Sequence, residues 1–343
     1  MIKIKLQNPT KGRNEPTFRP FWFIKDKLRD YSIHINEDHD NDFDYLFVGM
    51  DDFLDKKRPL QESTEWGLEN ISKITGDYFL VDGSDSVSLM GAYEVFKQSN
   101  AIYLLKNQKM PNRTDYLEPY AFNKFFFGKG SDLDLSYNIS KENWEKIKFT
   151  GYNLGYLLPQ YRNIQPVNTN KTHDICAIFQ GIHKENYDHG VRNDLLYTKH
   201  RNGLWEQLEP LKSKYNIITG KRPYNEYIQT LADSKICLSP YGMGELGFRD
   251  FEAMQYGTII LKPSHKLVDS VPNIMIDDET FIACKYDFSD LEEKIDYILS
   301  NFKEVNKKIN HNIRKSFTEQ YSYENLCMYY YNMFSNLDGV EKK

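Results

Sequence analysis

Short apolar runs alternate with helical patterns along most of this chain, and that alternation constrains its fold more than any other feature. Helical spacing is found at residues 61–74 and 87–97, between apolar runs of strand length. The apolar runs lie at 44–48, 78–81, 101–105, 173–179, 215–218, 235–238 and 258–261. Strands that alternate with helices form βαβ units, which build mostly parallel sheets flanked by helices. The sequence therefore predicts an α/β fold.

The 343 residues are enough for roughly two domains of ordinary size. The regular alternation loosens between residues 106 and 170, where several prolines interrupt aromatic-rich runs. We therefore predict an N-terminal domain over 1–165 and a C-terminal domain over 166–320. Residues 321–343 are predicted to form a terminal helix that packs back on the N-terminal domain.

Composition and charge narrow the classes of partner. A net charge of −5 lacks the basic footprint of a nucleic-acid-binding protein, so an anionic small ligand would need a local basic pocket. No run approaches the ~20 apolar residues that span a bilayer, and the N-terminus does not have the pattern of a secretory signal. Four widely separated cysteines contain no Cys-x-x-Cys pair. We expect a cytoplasmic protein without a transmembrane segment and without a nucleic-acid partner.

A glycine-rich turn, SPYGMGELG at residues 239–247, joins a predicted strand to a predicted helix. Glycines let backbone N–H groups approach a ligand, and a helix N-terminus favours an anion. Glu245, Arg249 and Glu252 recur at helical intervals, which predicts one polar stripe. Carboxylates accept hydrogen bonds from sugar hydroxyls, and arginine binds phosphate oxygens. An ordinary surface ion pair between Glu245 and Arg249 is the alternative.

The run Arg249-Asp250-Phe251-Glu252-Ala253-Met254, with Gly257 and the apolar run 259–261, resembles the nucleotide-sugar motif of exostosin-like glycosyltransferases. It is also similar to the motif of retaining, group-1-type glycosyltransferases, although six residues rather than seven separate Glu245 from Glu252. The resemblance implies a GT-B fold with two facing Rossmann-like domains, parallel sheets and C-terminal helices. It also implies that the N-terminal domain binds the acceptor, the C-terminal domain binds the donor, and Glu252 binds the ribose.

A weaker resemblance lies at the start of the C-terminal domain. In exostosin-like enzymes a strand ending in glycine is followed by an arginine that is implied to contact the donor diphosphate, and Gly181 and Arg192 are similar here. Lys221 and Arg222 follow a strand that ends at Gly220, at the sheet edge where ligands of α/β proteins bind. Exposed turns are the alternative reading of these basic residues. The predicted donor-binding residues are Arg192, Arg201, Lys221, Arg222, Tyr241, Gly242, Gly244, Glu245, Arg249 and Glu252.

An inverting transfer needs a base on the acceptor hydroxyl. Asp82 and Asp85 directly follow the predicted strand at 78–81, and we predict them as the catalytic pair. Asp51 and Asp52 occupy an equivalent position, and turn capping is the alternative for each of these aspartates. The histidines lack the spacing of a helical zinc site, so no metal or other cofactor is expected.

The residues and the resemblance together predict a metal-independent glycosyltransferase, either a hexosyl- or a pentosyltransferase, acting in glycan biosynthesis. It would move a sugar from a UDP- or GDP-linked donor to a glycan or another hydroxyl acceptor. A non-catalytic nucleotide-sugar-binding protein and a nucleotide-sugar epimerase on the same fold are the open alternatives. The N-terminal half contains neither a Gly-x-Gly-x-x-Gly after its first strand nor a Gly-Lys-Ser/Thr loop, which argues against a dehydrogenase or an ATPase.

Overall fold

The computed structural model describes two compact units. The first comprises Met1–Leu158, Asp269–Pro272 and Glu319–Lys343, and the second comprises Pro159–Val268 and Asn273–Thr318. The sequence placed the boundary near residue 165 and did not indicate that 269–272 belong to the first unit. The described residues are 1–7, 14–36, 42–50, 60–89, 91–118, 138–151, 164–165, 168, 170–179, 196–242, 244–320 and 322–337.

Helices and strands alternate through both units. The strands are β1 (Ile2–Leu6), β2 (Ile33–Asn36), β3 (Tyr45–Gly49), β4 (Tyr78–Asp82), β5 (Leu104–Lys106), β6 (Gln108–Lys109), β7 (Ile147–Phe149), β8 (His173–Ala177), β9 (Ile217–Thr219), β10 (Ser234–Leu238), β11 (Ile259–Pro263), β12 (Asp269–Ser270) and β13 (Ile282–Cys284). The helices are α1 (Asn14–Leu28), α2 (Leu60–Ile71), α3 (Ala92–Lys97), α4 (Lys141–Lys146), α5 (Leu196–Leu208), α6 (Tyr224–Ala232), α7 (Phe248–Gln255), α8 (Leu291–Ser300), α9 (Phe302–Glu319) and α10 (Tyr323–Ser335). Over the described residues, no helix combines the length and the apolar character needed to cross a membrane.

Each unit is built on one parallel sheet, and the two sheets share a strand order. The first sheet runs β2-β1-β3-β4-β5-β7, and the second runs β9-β8-β10-β11-β13. All pairings within these two sheets are parallel, whereas the short β6 and β12 pair antiparallel. Numbered within its own unit, each sheet begins 2-1-3-4-5, which is a doubly wound order. The prediction of an α/β fold with two Rossmann-like units, parallel sheets and C-terminal helices is confirmed.

Aromatic side chains form the core of the first unit. Phe21 of α1 packs edge-on against Phe47 of β3, with the ring centroids 5.1 Å apart. Tyr330 of α10 lies 4.7 Å from Phe21, and Phe334 lies 5.8 Å from Phe79 of β4. Large rings contribute both apolar area and favourable ring contacts. The terminal helix α10 is therefore part of the core of the first unit and packs on the same face of the sheet as α1.

Aliphatic strands and C-terminal helices form the core of the second unit. The central strands β10 and β11 are buried along almost their whole length, as expected for a parallel sheet that is covered on both faces. In α9 the apolar residues Val305, Ile309, Ile313 and Phe317 are buried. Their four-residue spacing along the sequence is that of one apolar helix face.

Candidate functional site

The carboxyl ends of β8 and β10 meet at the point where the strand order of the second sheet reverses. These strands are neighbours, with Cys176 paired to Cys237. Phe179 lies just beyond the end of β8, and Ser239 directly follows β10. In doubly wound sheets this reversal opens a crevice outside the strand ends, and ligands bind there. Most of the predicted donor-binding residues within the described part of the chain lie at this edge.

A buried ion pair fixes the glycine-rich turn to the sheet. Lys262 of β11 is 1% exposed, and its ammonium donates to Asp250 Oδ2 at 2.7 Å and to the carbonyl of Glu245 at 2.8 Å. Asp250 also accepts from Ser239 Oγ at 2.6 Å and from the backbone N–H of Gly247 at 2.9 Å. One carboxylate therefore joins the start of the turn, its end and the next strand. Sequence reasoning missed both charged partners, although a lysine within the apolar run IILKP was a signal.

The predicted helical stripe is wrong for Glu245. Helix α7 begins at Phe248, and its N-cap Gly247 is extended, with φ −139° and ψ 163°. Glu245 therefore lies in the turn, where it is buried. The physical reason is the cap: Asp250 accepts from the N–H of Gly247 and starts the helix there. One amide near the helix N-terminus is thus already bonded within the protein, so less of this end is open to an anion than the sequence suggested.

Arg201 of α5 lies against the glycine turn. Its Nε donates to the carbonyl of Tyr241 at 3.0 Å. A Cβ atom added to Gly242 would lie 2.7 Å from Arg201 Nη2, which is closer than real Cβ contacts. The N–H of Gly242 donates to the carbonyl of Gly244 at 2.9 Å and closes the turn. The structure therefore brings together four predicted residues, and the glycine at 242 leaves space for a protein side chain.

Two arginines at this edge retain unused hydrogen-bond donors. The guanidinium of Arg249 lies over the ring of Phe179, 5.7 Å from its centroid. The Nε atoms of Arg249 and Arg222 are buried and have no hydrogen-bond partner among the described residues. Burial raises the pKa of Cys176 to about 11, and both guanidinium groups act in the opposite direction. Both arginines therefore lie near the end of β8, and each has a buried Nε–H donor that the described protein groups leave unbonded.

A tyrosine holds the carboxylate of Glu252 beside Arg249. Tyr227 of α6 donates from its hydroxyl to Glu252 Oε2 at 2.7 Å. Burial raises the pKa of Glu252, although the bond from Tyr227 and the charge of Arg249 oppose that rise. A side-chain hydrogen bond from Tyr224 also acts on this carboxylate, so its orientation is fixed by two tyrosines. No sequence signal distinguished Tyr227 from the other aromatic residues.

Lys221 and Arg192 are the remaining basic residues that the sequence predicted for this site. Lys221 is exposed at the turn after β9. Arg192 lies outside the described residues. Within the part of the chain that the structure describes, no group of three or more His, Cys, Asp or Glu side chains is arranged to hold a metal ion.

The candidate catalytic aspartates lie at the carboxyl edge of the first sheet and differ in environment. Asp82 is buried and pairs with Lys106 of β5, with 2.6 Å between Nζ and Oδ2. Although burial acts to raise it, the pKa of Asp82 lies below its ordinary value because of this lysine. An ion-paired carboxylate of low pKa is a weak base. Asp85 is exposed, and its carbonyl accepts from Gln108. Asp51 and Asp52 lie outside the described residues.

Comparisons with known proteins give distant structural likeness only. No protein-family model matches the chain, and no curated protein matches it significantly. HepE from Anabaena, in complex with UDP, has a TM-score of 0.48 and 10% identity, with 98% of this chain and 100% of that chain covered. Sucrose-phosphate synthase from Thermosynechococcus elongatus has a TM-score of 0.49 and 11% identity, with 98% of each chain covered. A glycosyltransferase from Rickettsia africae has a TM-score of 0.44 and 13% identity, with 99% of each covered. Likeness at this distance does not assign an activity to the chain.

Proposed function

We propose that this protein is a glycosyltransferase that moves a sugar from a UDP- or GDP-linked donor to a hydroxyl of a glycan or a similar acceptor. The carrying observation is a pair of arginines at this edge of the second sheet, Arg222 and Arg249, whose buried Nε atoms have no hydrogen-bond partner among the described residues. Glu252 lies on the same edge and is held by Tyr227. A nucleotide diphosphate requires cationic donors for its phosphates and an acceptor for its ribose hydroxyls. This edge supplies both.

In this proposal each side chain has a separate role. Arg222 and Arg249 bind the diphosphate and stabilise the charge that develops on it as the glycosidic bond to the sugar breaks. Glu252 accepts from the ribose, and the turn at Tyr241, Gly242 and Gly244 lies beside the donor. Arginine charge takes the part of a metal ion, so transfer is metal-independent. Arg192 and Lys221 stay predictions for the same ligand, as do the exostosin-like affiliation and a role in glycan biosynthesis.

A specific observation favours a second candidate, a nucleotide-sugar-binding protein without turnover. Asp82 is paired with Lys106 and has a lowered pKa, which makes it a weak base. The exposed Asp85 is then the candidate base of the transferase. The two functions share the donor site and differ only in whether an acceptor is converted.

Nucleotide titration by calorimetry tests the donor site. UDP and GDP are titrated into the wild type, Arg249→Gln and the matched control Lys307→Gln, whose exposed lysine lies on α9. Loss of a charge-assisted hydrogen bond should weaken affinity about 10- to 100-fold in Arg249→Gln and leave the control unchanged. Failure of the folded wild type to bind any nucleotide or nucleotide-sugar in a panel of UDP- and GDP-linked compounds would reject the proposal.

Product analysis separates the alternatives once binding is found. A transferase converts a sugar acceptor and releases nucleotide in an acceptor-dependent way. A binding protein gives the same titration with no turnover. An epimerase acts on the donor when no acceptor is added.

A further inference from the structure

We infer that His200 and Arg201, consecutive residues of α5, are positioning residues that hold both backbone polar groups of Tyr241 and thereby fix the glycine turn. The identity of the ligand that would bind beside this turn rests on the proposed function. The hydrogen bonds to Tyr241 do not depend on that function, because they are contacts within the second unit.

The side chains of His200 and Arg201 bond the two backbone polar groups of Tyr241. The N–H of Tyr241 donates to His200 Nε2 at 3.2 Å, and the carbonyl of Tyr241 accepts from Arg201 Nε at 3.0 Å. The phenol of Tyr241 donates to the carbonyl of Ser264 at 2.8 Å. Backbone and side chain of Tyr241 are therefore bonded at three points. Tyr241, the third residue of the turn, therefore has a defined orientation before any ligand arrives.

The ring of His200 is itself held between aromatic side chains. Its centroid lies 4.4 Å from that of Tyr286 and 5.6 Å from that of Tyr241, with interplanar angles of 27° and 30°. Phe288 lies 4.7 Å away. These contacts leave the imidazole little room to rotate away from the Tyr241 amide. Accepting that hydrogen bond requires a lone pair on Nε2, so the neutral ring carries its proton on Nδ1.

Burial, together with two nearby cations, keeps this ring neutral. Burial lowers its pKa to about 3, and the cations Arg201 and Lys262 act in the same direction. An imidazolium would lose the acceptor on Nε2 and would add a third positive charge beside those two. We call the two hydrogen bonds that join His200 and Arg201 to the backbone of Tyr241 the clamp. The neutral ring allows the clamp to form at neutral pH.

Arg201 connects the clamp to Gly242. Its Nη2 atom occupies the space where a side chain at position 242 would start. A side chain there would require the guanidinium of Arg201, whose Nε bonds the Tyr241 carbonyl, to shift. The absence of a side chain at 242 thus serves the protein's own contact as well as any approach by a ligand. A turn that is ordered in advance loses less conformational entropy when it binds, which favours affinity without direct contact.

Hydrogen exchange measured on His200→Leu and His200→Gln tests the clamp without reference to any ligand. Leucine removes the acceptor, whereas the side-chain oxygen of glutamine can replace Nε2 and accept from the Tyr241 amide. Exchange of that amide should rise on the order of tenfold in His200→Leu and stay near wild type in His200→Gln. Amides of β4 in the first unit are the internal control. Arg201→Met, which removes the donor to the Tyr241 carbonyl, is the second variant should His200→Leu fail to fold.

The same variants are then titrated with UDP and GDP. We expect about tenfold weaker binding for His200→Leu and recovery in His200→Gln, a rescue that general loss of packing would not produce. Equal exchange at Tyr241 in the wild type and His200→Leu, or equal acceleration in the leucine and glutamine variants, overturns the clamp. A wild type that binds no nucleotide rejects the proposed function, while the exchange result still decides the clamp.

Discussion

The carboxyl edges of the two sheets use the same device to fix a loop. In the first unit, Lys106 of β5 donates to Asp82 at 2.6 Å, to Ser84 Oγ at 3.1 Å and to the carbonyl of Ser88 at 2.8 Å. In the second unit, Lys262 of β11 holds Asp250 and the turn in the same way. In each case a buried lysine at a strand end fastens the loop that leaves a neighbouring strand.

The two edges differ in whether buried hydrogen-bond donors remain without partners among the described residues. Lys106 places all three ammonium protons on protein acceptors, and its counter-ion is the aspartate that the sequence suggested as a catalyst. At the second edge the pair of Lys262 and Asp250 is also satisfied internally, but Arg222 and Arg249 retain buried Nε donors without partners among the described residues. A lysine therefore fixes a loop at both edges, and at the second edge the described residues also leave two arginine Nε–H donors unbonded.

Removal of either lysine should produce the largest effect on stability. In Lys262→Met the carboxylate of Asp250 stays buried without a counter-ion, which should lower the free energy of unfolding of the second unit by about 3–5 kcal/mol. Lys106→Met should do the same to the first unit through Asp82. Hydrogen exchange of β10 and β4 reports the two units separately.

Removing both members of a pair is the control. Lys262→Met combined with Asp250→Leu leaves no isolated charge, so most of the lost stability should return, apart from about 1 kcal/mol for the lost helix cap. If the single variant is no less stable than the double variant, the ion pair is not what fixes the turn.

Lowering the pH should reduce the stability of the second unit before it disrupts the ion pair of Asp82 and Lys106 in the first unit. The unfolded chain protonates His200 near its ordinary pKa of 6.5, whereas burial, aided by Arg201, lowers the folded value to about 3. Its contribution to stability is therefore present at neutral pH and falls below pH 6.5, by up to about 1.4 kcal/mol per pH unit. Burial also lowers the pKa of His265, which adds to the same slope. The lowered pKa of Asp82 means that its contribution is lost only below its ordinary value of 3.8.

Denaturant titrations between pH 7 and pH 4.5 measure that slope, with exchange of β10 and β4 as reporters of each unit. Glu252, whose pKa is raised by burial, acts in the opposite direction, so the difference between wild type and His200→Gln isolates the histidine. The variant should have the flatter pH dependence in β10. The buried neutral state assigned to His200 is incorrect if both proteins show the same slope.

The sequence predicted what depends on periodicity and missed what depends on long-range charge. Val305 and Ile313 revealed α9 through their spacing, because one face of a helix must be apolar to pack. The strand ending at Leu238 was also predicted, because a buried parallel strand has a continuous run of apolar residues. By contrast, the partner of Asp250 lies in the next strand, at Lys262, and nothing local indicates that pairing.

The start of a helix was also mispredicted, because it depends on contacts that the local sequence pattern does not show. Glu245 and Arg249 have helical spacing, but the helix between them starts only at Phe248 because Asp250 caps Gly247. The first helix likewise runs from Asn14 to Leu28 with Pro20 inside it, where a proline would ordinarily end a helix. Propensity gives a helix its approximate place, while capping and tertiary contacts choose the residue where it starts.

The smallest stability effect, and the sharpest test of the first edge, is expected from Asp85→Asn. Asp85 is exposed, so the substitution should change the free energy of unfolding by no more than about 0.5 kcal/mol. If Asp85 is the base of a transferase, the rate of transfer should fall by about 10²- to 10⁴-fold while UDP and GDP affinity stays unchanged. Asp82→Asn is the contrasting variant, because it leaves Lys106 without a counter-ion and should lose stability first. Transfer assays at temperatures where both variants are folded compare them directly. If Asp85→Asn keeps full activity while a folded Asp82→Asn protein is inactive, the base is the buried Asp82. That result would also show that the ion pair with Lys106 does not prevent Asp82 from acting as a base.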